Sequence, residues 1–271
     1  MVVTSRSASD RPSLTVTWEK LPDSFRLEEE PVENVGQPLL AGALREALEM
    51  ASYIKPEMLI ASNFGLCATV NGNVVIKAPD WVYVAAVLPS SDSSDRRSYT
   101  PHLEGDIPQV VMEFLSETDG GEYSVKRIPP LGKWFYYEQI LKVPIYVIFE
   151  PVLGHLEVFS LQTDRYEPLM SDANGRFWLA EMGYFLGVWQ GEKEGRSGYW
   201  LRWWDKVGNL LLWGMERVEQ ERQRAEQEHQ RAEQERQRAE QECQRAEQEC
   251  QRAERLTEYL RSQGIDPDSL N

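Results

Sequence analysis

Three residues of this chain have the types and the setting for phosphodiester chemistry. Asp80 follows Pro79 at the head of the apolar run WVYVAAVL, Glu113 sits inside the apolar run VVMEFLS, and Lys133 opens a segment that reads as a helix. A carboxylate within an otherwise apolar strand is costly unless it is paired or bound to a metal. Two carboxylates converging from neighbouring strands make an oxygen site suited to Mg2+. A nearby lysine orients or deprotonates a water and offsets charge on a phosphate. Each residue also fits a purely structural role. Asp after Pro caps turns, Glu113 suits a sheet end bonded to backbone, and Lys133 suits a solvated first turn. Spacing alone leaves both readings open.

Other constellations fail. His102, His155 and His229 are isolated, and neither GxSxG nor a phosphate-binding loop is present. The three cysteines, Cys67, Cys243 and Cys250, are too few and too badly spaced for a disulfide framework or a zinc site. Cys67 lies in a predicted strand and reads as a small core residue. The formal charge of −15 also excludes a general electrostatic grip on nucleic acid, which needs clustered Lys and Arg. From Glu216 onward 15 acidic and 10 basic residues give −5, leaving −10 for the preceding part. A local basic cleft remains compatible with these totals. The N-terminal stretch MVVTSRSASDRPS has no apolar core of a signal peptide, and the longest apolar runs fall far short of a membrane span. The expectation is a cytoplasmic protein.

At 271 residues, with 41% hydrophobic and 27% charged, the chain has room for one ordinary domain and something extra. Residues 1–36 are polar and Pro-rich and read as an arm that docks by Trp18. Helical spacing of Leu39, Leu40, Ala43, Leu44, Ala47, Leu48 and Ala51 predicts a helix over residues 37 to about 53. MLIAS is a short apolar run, and LCATV and VVIK flank the hairpin signal Asn71-Gly72. WVYVAAVL, VVMEFLS and IYVIFEP read as strands buried on both faces. The expected helix over residues 133–141 makes the step between the last two a parallel crossover. Residues 155–201 read as meandering β-structure, its Trp-rich part packing a second layer or an edge of the sheet.

The C-terminal segment is a heptad repeat: QRAEQEH, QRAEQER, QRAEQEC, QRAEQEC and QRAERLT. Ala225, Ala232, Ala239, Ala246 and Ala253 form a d seam, and Arg222, His229, Arg236, Cys243 and Cys250 take the a positions. Strong helix formers predict one helix from about 205 to about 261, roughly 85 Å long at 1.5 Å per residue. Alanine buries little area, so a solvated single helix and a coiled coil both remain open, with self-pairing into a homodimer one outcome.

The motifs together resemble the Uma-two family, bacterial restriction-endonuclease-like proteins of the PD-(D/E)xK nuclease superfamily. The resemblance rests on APDWVYV, IPQVVMEFLS and GKWFYYEQILKVPIYVIFEP and spans residues 37–170; QRAEQE tails with a GIDP-like end also occur there. It implies an α/β fold: a restriction-endonuclease-like core with a central mixed sheet flanked by helices, a β-rich extension and a long C-terminal helix. The implied division is an arm (1–36), the core domain (37–204), the heptad helix (205–262) and a tail (263–271). It further implies Mg2+-dependent cleavage of DNA, with Mn2+ as an alternative ion, Asp80 and Glu113 as metal ligands, and Lys133 positioning or activating the water. The short E-x-K of the superfamily is absent, since Leu115 stands two residues after Glu113; Lys126 therefore competes with Lys133 for the lysine role. Gln109 stands where many members carry Asp, Asp106 is a potential substitute, and Glu138 is a further residue near the site. The rival reading is a non-catalytic or weakly active adaptor that assembles through its heptad helix.

Overall fold

The structure, a computed structural model, describes residues 14–20, 35–89, 96, 98–115, 121–128 and 130–264. Most of the expected arm and nearly all of the tail lie outside these residues. The chain divides into two compact units, Met1–Gly214 and Met215–Asn271.

The first unit runs β1 (Val16–Thr17), α1 (Gly36–Met50), β2 (Leu59–Ala61), β3 (Gly65–Val70), β4 (Asn73–Lys77), β5 (Trp81–Val84), β6 (Ser98–Tyr99) and β7 (Val110–Phe114). A 3-10 turn, Gly121–Tyr123, precedes α2 (Lys133–Phe135), which continues into a π-helical turn, Tyr136–Leu141. Then follow β8 (Ile145–Glu150), β9 (His155–Gln162), β10 (Arg165–Pro168), β11 (Phe177–Leu179), β12 (Tyr184–Lys193) and β13 (Arg196–Trp204). The second unit is α3, whose 49 residues Gly214–Ser262 start at the last residue of the first.

The central sheet is mixed, with six strands in the order β10-β9-β8-β7-β5-β2. Among the described strands of this sheet only β7 and β8 pair in parallel, and the helical segment between them is the expected crossover. The hairpin at Asn71-Gly72 joins β3 to β4; both residues take positive φ, 51° and 77°, as a primed turn requires. β1 adds to β3 and sets the Trp18 ring edge-on to His102, with centroids 4.9 Å apart, so this part of the arm docks as expected. The run WVYVAAVL is a strand only through Val84; Val87 bridges to Gly105 beyond it.

Alternation along β5, β7 and β8 divides the core in two. Trp81, Tyr83, Met112, Phe114, Val147 and Phe149 face α1 and the Trp-rich hairpins. Val82, Val84, Val111, Tyr146 and Ile148 face the other way, under Phe135, Tyr136, Tyr137 and Leu141. Of the two alternatives for the Trp-rich part of the meander, the separate layer is the one observed. β9 and β10 extend the edge of the main sheet, while β11, β12 and β13 form a separate antiparallel sheet. Trp203 and Trp213 are buried against α1, and their indole N–H groups donate to the carbonyls of Leu44 and Ala43 at 3.1 and 3.0 Å. A tryptophan can be buried this fully because its single donor finds a partner.

The heptad helix starts later than the sequence predicts. Residues 205–213 are not helical: the Asp205 carboxylate accepts the backbone N–H groups of Val207 and Asn209, closing a turn. At 49 residues α3 is about 74 Å long at 1.5 Å per residue, and none of its residues is buried. Each side of its Ala seam carries glutamate: Glu226, Glu233, Glu240, Glu247 and Glu254 at e, and Glu228, Glu235, Glu242 and Glu249 at g.

Since Trp213 is the last core residue, truncation after Arg217 should leave the thermal unfolding of the first unit unchanged. Trp213→Ala should destabilise it by about 3–5 kcal/mol. Circular dichroism melts of the two variants would check both outcomes.

Candidate active site

β7 carries Glu113 on the sheet face that the helical segment covers, and its side chain has no exposure. The strand is otherwise apolar, Val110, Val111, Met112 and Phe114, so the carboxyl group has to find its partners within the protein. Two come from one turn of the covering segment. Lys133 Nζ lies 3.0 Å from Glu113 Oε2, and the Tyr137 hydroxyl donates to Glu113 Oε1 at 2.8 Å. Residues four apart share a helix face, which is why one short segment supplies both groups.

Asp80 reaches the same place from β5. The antiparallel register pairs Trp81 with Met112, so one step further sets Asp80 across from Glu113 on the same face. Asp80 Oδ2 accepts the backbone N–H of Phe114. The structure therefore brings Asp80, Glu113 and Lys133 together at one end of the sheet.

It adds a carboxylate that the sequence reading missed. Glu122, in the 3-10 turn, is almost fully buried, with Oε1 3.6 Å from Lys133 Nζ. Its other oxygen, Oε2, has no hydrogen-bond partner among the described residues. The turn is held from two sides. Tyr146 donates to the Glu122 carbonyl at 2.9 Å, and Gly132 lies so close to Ser124 that a Cβ there would fall 1.9 Å from the Ser124 carbonyl oxygen. Any side chain at 132 would push the Glu122 turn away from the lysine.

Four other residues lie elsewhere. Lys126 is exposed and in no ion pair among the described residues, whereas Lys133 touches Glu113. Glu138 faces β10: its Oε1 accepts the Tyr166 N–H at 2.8 Å and the Trp134 indole N–H at 3.3 Å, so it takes no part in the site. Gln109 lies just ahead of β7, four residues before Glu113, about 13 Å at 3.3 Å per residue. Asp106 bonds through its backbone N–H to Ala86, beyond the end of β5 opposite to Asp80. Neither the missing aspartate at 109 nor its suggested substitute falls where Asp80 and Glu113 meet.

The electrostatics follow from the burial. Desolvation pushes the Glu113 carboxyl up to about 8; Lys133 and the Tyr137 hydroxyl oppose that rise, and the charge of Asp80 adds to it. Burial alone would lower the Lys133 pKa, but Glu113, Glu122 and Asp80 outweigh it and hold the ammonium above its ordinary range. The acidic neighbours thus favour the charged form of Lys133.

The donor set fits a hard divalent cation. Asp80 and Glu113 offer carboxylate oxygens on one face, and one ammonium serves three acidic neighbours. Among the described residues no group of three or more His, Cys, Asp or Glu forms a metal cluster. Mg2+ needs none, since it commonly takes one or two carboxylates and completes its shell with water and phosphate oxygens.

A family model described as "Putative restriction endonuclease" matches residues 40–189, more than half of the chain. Comparison with curated proteins gives no match. No described helix is long and apolar enough to cross a membrane.

The raised Glu113 carboxyl makes stability depend on pH. The folded protein keeps this proton up to about 8, while the unfolded chain releases it near 4.5. The stabilisation is complete below pH 4.5 and is lost as pH rises through 8. In metal-free buffer, denaturant midpoints should fall over this range, and Glu113→Gln should flatten the fall. An equal slope in both proteins would remove Glu113 as its source.

Proposed function

The chain belongs to the Uma-two (Uma2) family, and on that premise we propose that it is a metal-dependent endonuclease that hydrolyses phosphodiester bonds in DNA. The observation that carries this reading is the meeting of Asp80, Glu113 and Lys133 on one face of the central sheet, with Glu113 buried among them. Asp80 and Glu113 would hold Mg2+ or Mn2+. When bound, such an ion supplies Lewis-acid polarisation of the phosphate and offsets its charge.

The chain's own residues do the rest. Lys133 places a fixed positive charge beside the carboxylates, where it orients a water and stabilises negative charge that develops on the phosphate. Tyr137 holds the Glu113 carboxylate in one orientation through its hydroxyl, and Gln37 fixes the end of the same strand by donating to the Phe114 carbonyl at 2.8 Å.

The test is a cleavage assay on plasmid and single-stranded DNA with Mg2+, Mn2+ or EDTA. Wild-type protein should cleave only with a divalent ion. Glu113→Gln should abolish cleavage while the protein stays folded, and Lys133→Ala should slow it by about 10²–10³-fold. Undiminished cleavage by Glu113→Gln, in a preparation free of contaminating nuclease, would refute the mechanism.

For α3 we propose a separate role in assembly, supported by its uncovered Ala seam. In a parallel self-pair Cys243 and Cys250 would face their own copies, but the flanking e and g glutamates would also face each other. Screening weakens that repulsion, so self-pairing should strengthen with salt. Light scattering and mild oxidation should show more dimer, crosslinked through Cys243 and Cys250, at 1 M than at about 0.05 M salt. A strictly monomeric protein at every salt concentration would exclude self-pairing.

A further inference from the structure

We propose that residues 123–128 form the surface that holds the DNA backbone beside the candidate active site, with Lys126 and Arg127 on phosphates. The inference rests on the endonuclease reading and extends it to the substrate contact. Lys126 is the lysine that the site does not use, and its surroundings give it another task.

The first observation is position. The Lys126 carbonyl accepts the Gly132 N–H at 2.9 Å, directly next to Lys133. The same loop begins at Glu122, whose carboxylate flanks the Lys133 ammonium. A strand whose scissile phosphate lies at Lys133 carries further phosphates at a spacing of about 3.4 Å along the helix axis. The next ones therefore fall beside this loop.

The second observation is charge. Both Lys126 and Arg127 are exposed, and neither makes an ion pair among the described residues. Elsewhere on the first unit Arg96 pairs with Glu104, Lys142 with Asp164, and Lys193 with Glu46 and Glu194, while the exposed Lys55, Arg165 and Lys206 stand singly rather than as an adjacent pair. On a chain of net charge −15, attraction for a polyanion has to be local. Two adjacent uncommitted cations at the edge of the site provide it.

The third observation is that the loop is built and held. The Phe135 N–H donates to the Ser124 carbonyl at 3.4 Å, the Tyr123 ring stacks on Trp134, and the Arg127 guanidinium lies 5.6 Å from the centre of the Phe135 ring. Val125 and Ile128 are nonetheless 60% and 67% exposed. Fixed cations flanked by uncovered apolar side chains match the alternation of phosphate and sugar along a nucleic-acid strand.

The experiment measures binding, not cleavage. Fluorescence anisotropy of a labelled duplex, with Ca2+ in place of Mg2+, is followed from 50 to 200 mM salt for the full chain. The double variant Lys126→Ala/Arg127→Ala should bind at least tenfold more weakly at 50 mM. Its slope of log affinity against log salt should be shallower by about 1.8, the value for two lost phosphate contacts. The charge-keeping pair Lys126→Arg/Arg127→Lys should restore the slope. Lys55→Ala, which removes an exposed lysine near the other end of the sheet, should leave it unchanged. Wild-type and double-variant slopes that coincide would overturn the proposal and leave the DNA reading standing. A wild-type protein that binds no DNA would overturn both.

Discussion

A carboxyl group with no exposure to water must be neutral, paired or bound to a cation, and Glu113 makes the surrounding structure answer to that demand. The lysine that pairs with it and the tyrosine that donates to it come from one short helical segment. That segment has to follow β7 and return the chain to β8, which is what the parallel crossover does. Its second half is wound as a π-helical turn, a form that concentrates at functional sites. The close approach of Gly132 to Ser124 then brings Glu122 to the far side of the same ammonium. Each of these features has a local oddity, and each is explained by the need to surround one buried acid.

The sheet divides its two faces by chemistry. On one, α1 and the tryptophan-rich hairpins close a largely apolar core. On the other, five tyrosines are buried with their hydroxyls committed: Tyr99 to the Asp106 carbonyl, Tyr136 to the Leu66 carbonyl, Tyr137 to Glu113, Tyr146 to the Glu122 carbonyl and Tyr166 to the Val143 carbonyl. Burial raises the pKa of all five, so they remain donors across the physiological range. Apolar rings with a polar tip make a rigid wall that still presents hydrogen-bond donors. A face of leucine and valine would pack equally well and would leave Glu113 and Glu122 without support.

Much of this architecture was legible in the sequence because strands buried on both faces betray themselves as apolar runs. Asp80, Glu113 and Lys133 stood out because each interrupts or borders such a run, and the Asn71-Gly72 turn carries its own chemistry. Glu122 was hidden: it follows Gly120-Gly121 in a polar stretch, and its contacts with Lys133 and Tyr146 come from residues well downstream. Tyr137 could have been found, since it stands four residues after Lys133. The distance between Gln109 and the site depends on strand register, which residue type does not reveal. The helix start at Gly214 was obscured because LLLW reads as helical, whereas Leu211 and Trp213 belong to the core of the first unit.

The identity of the successive units in α3 has a consequence for how its length can change. A copied or deleted unit alters the helix by seven residues, about 10.5 Å. Every alanine then keeps its face, apart from a drift of about 20° per unit. An insertion of one, two or five residues would instead rotate the seam by about 100° or more. The segment thus behaves as a ruler with preset graduations, on which recombination between near-identical repeats moves the mark without blurring the scale.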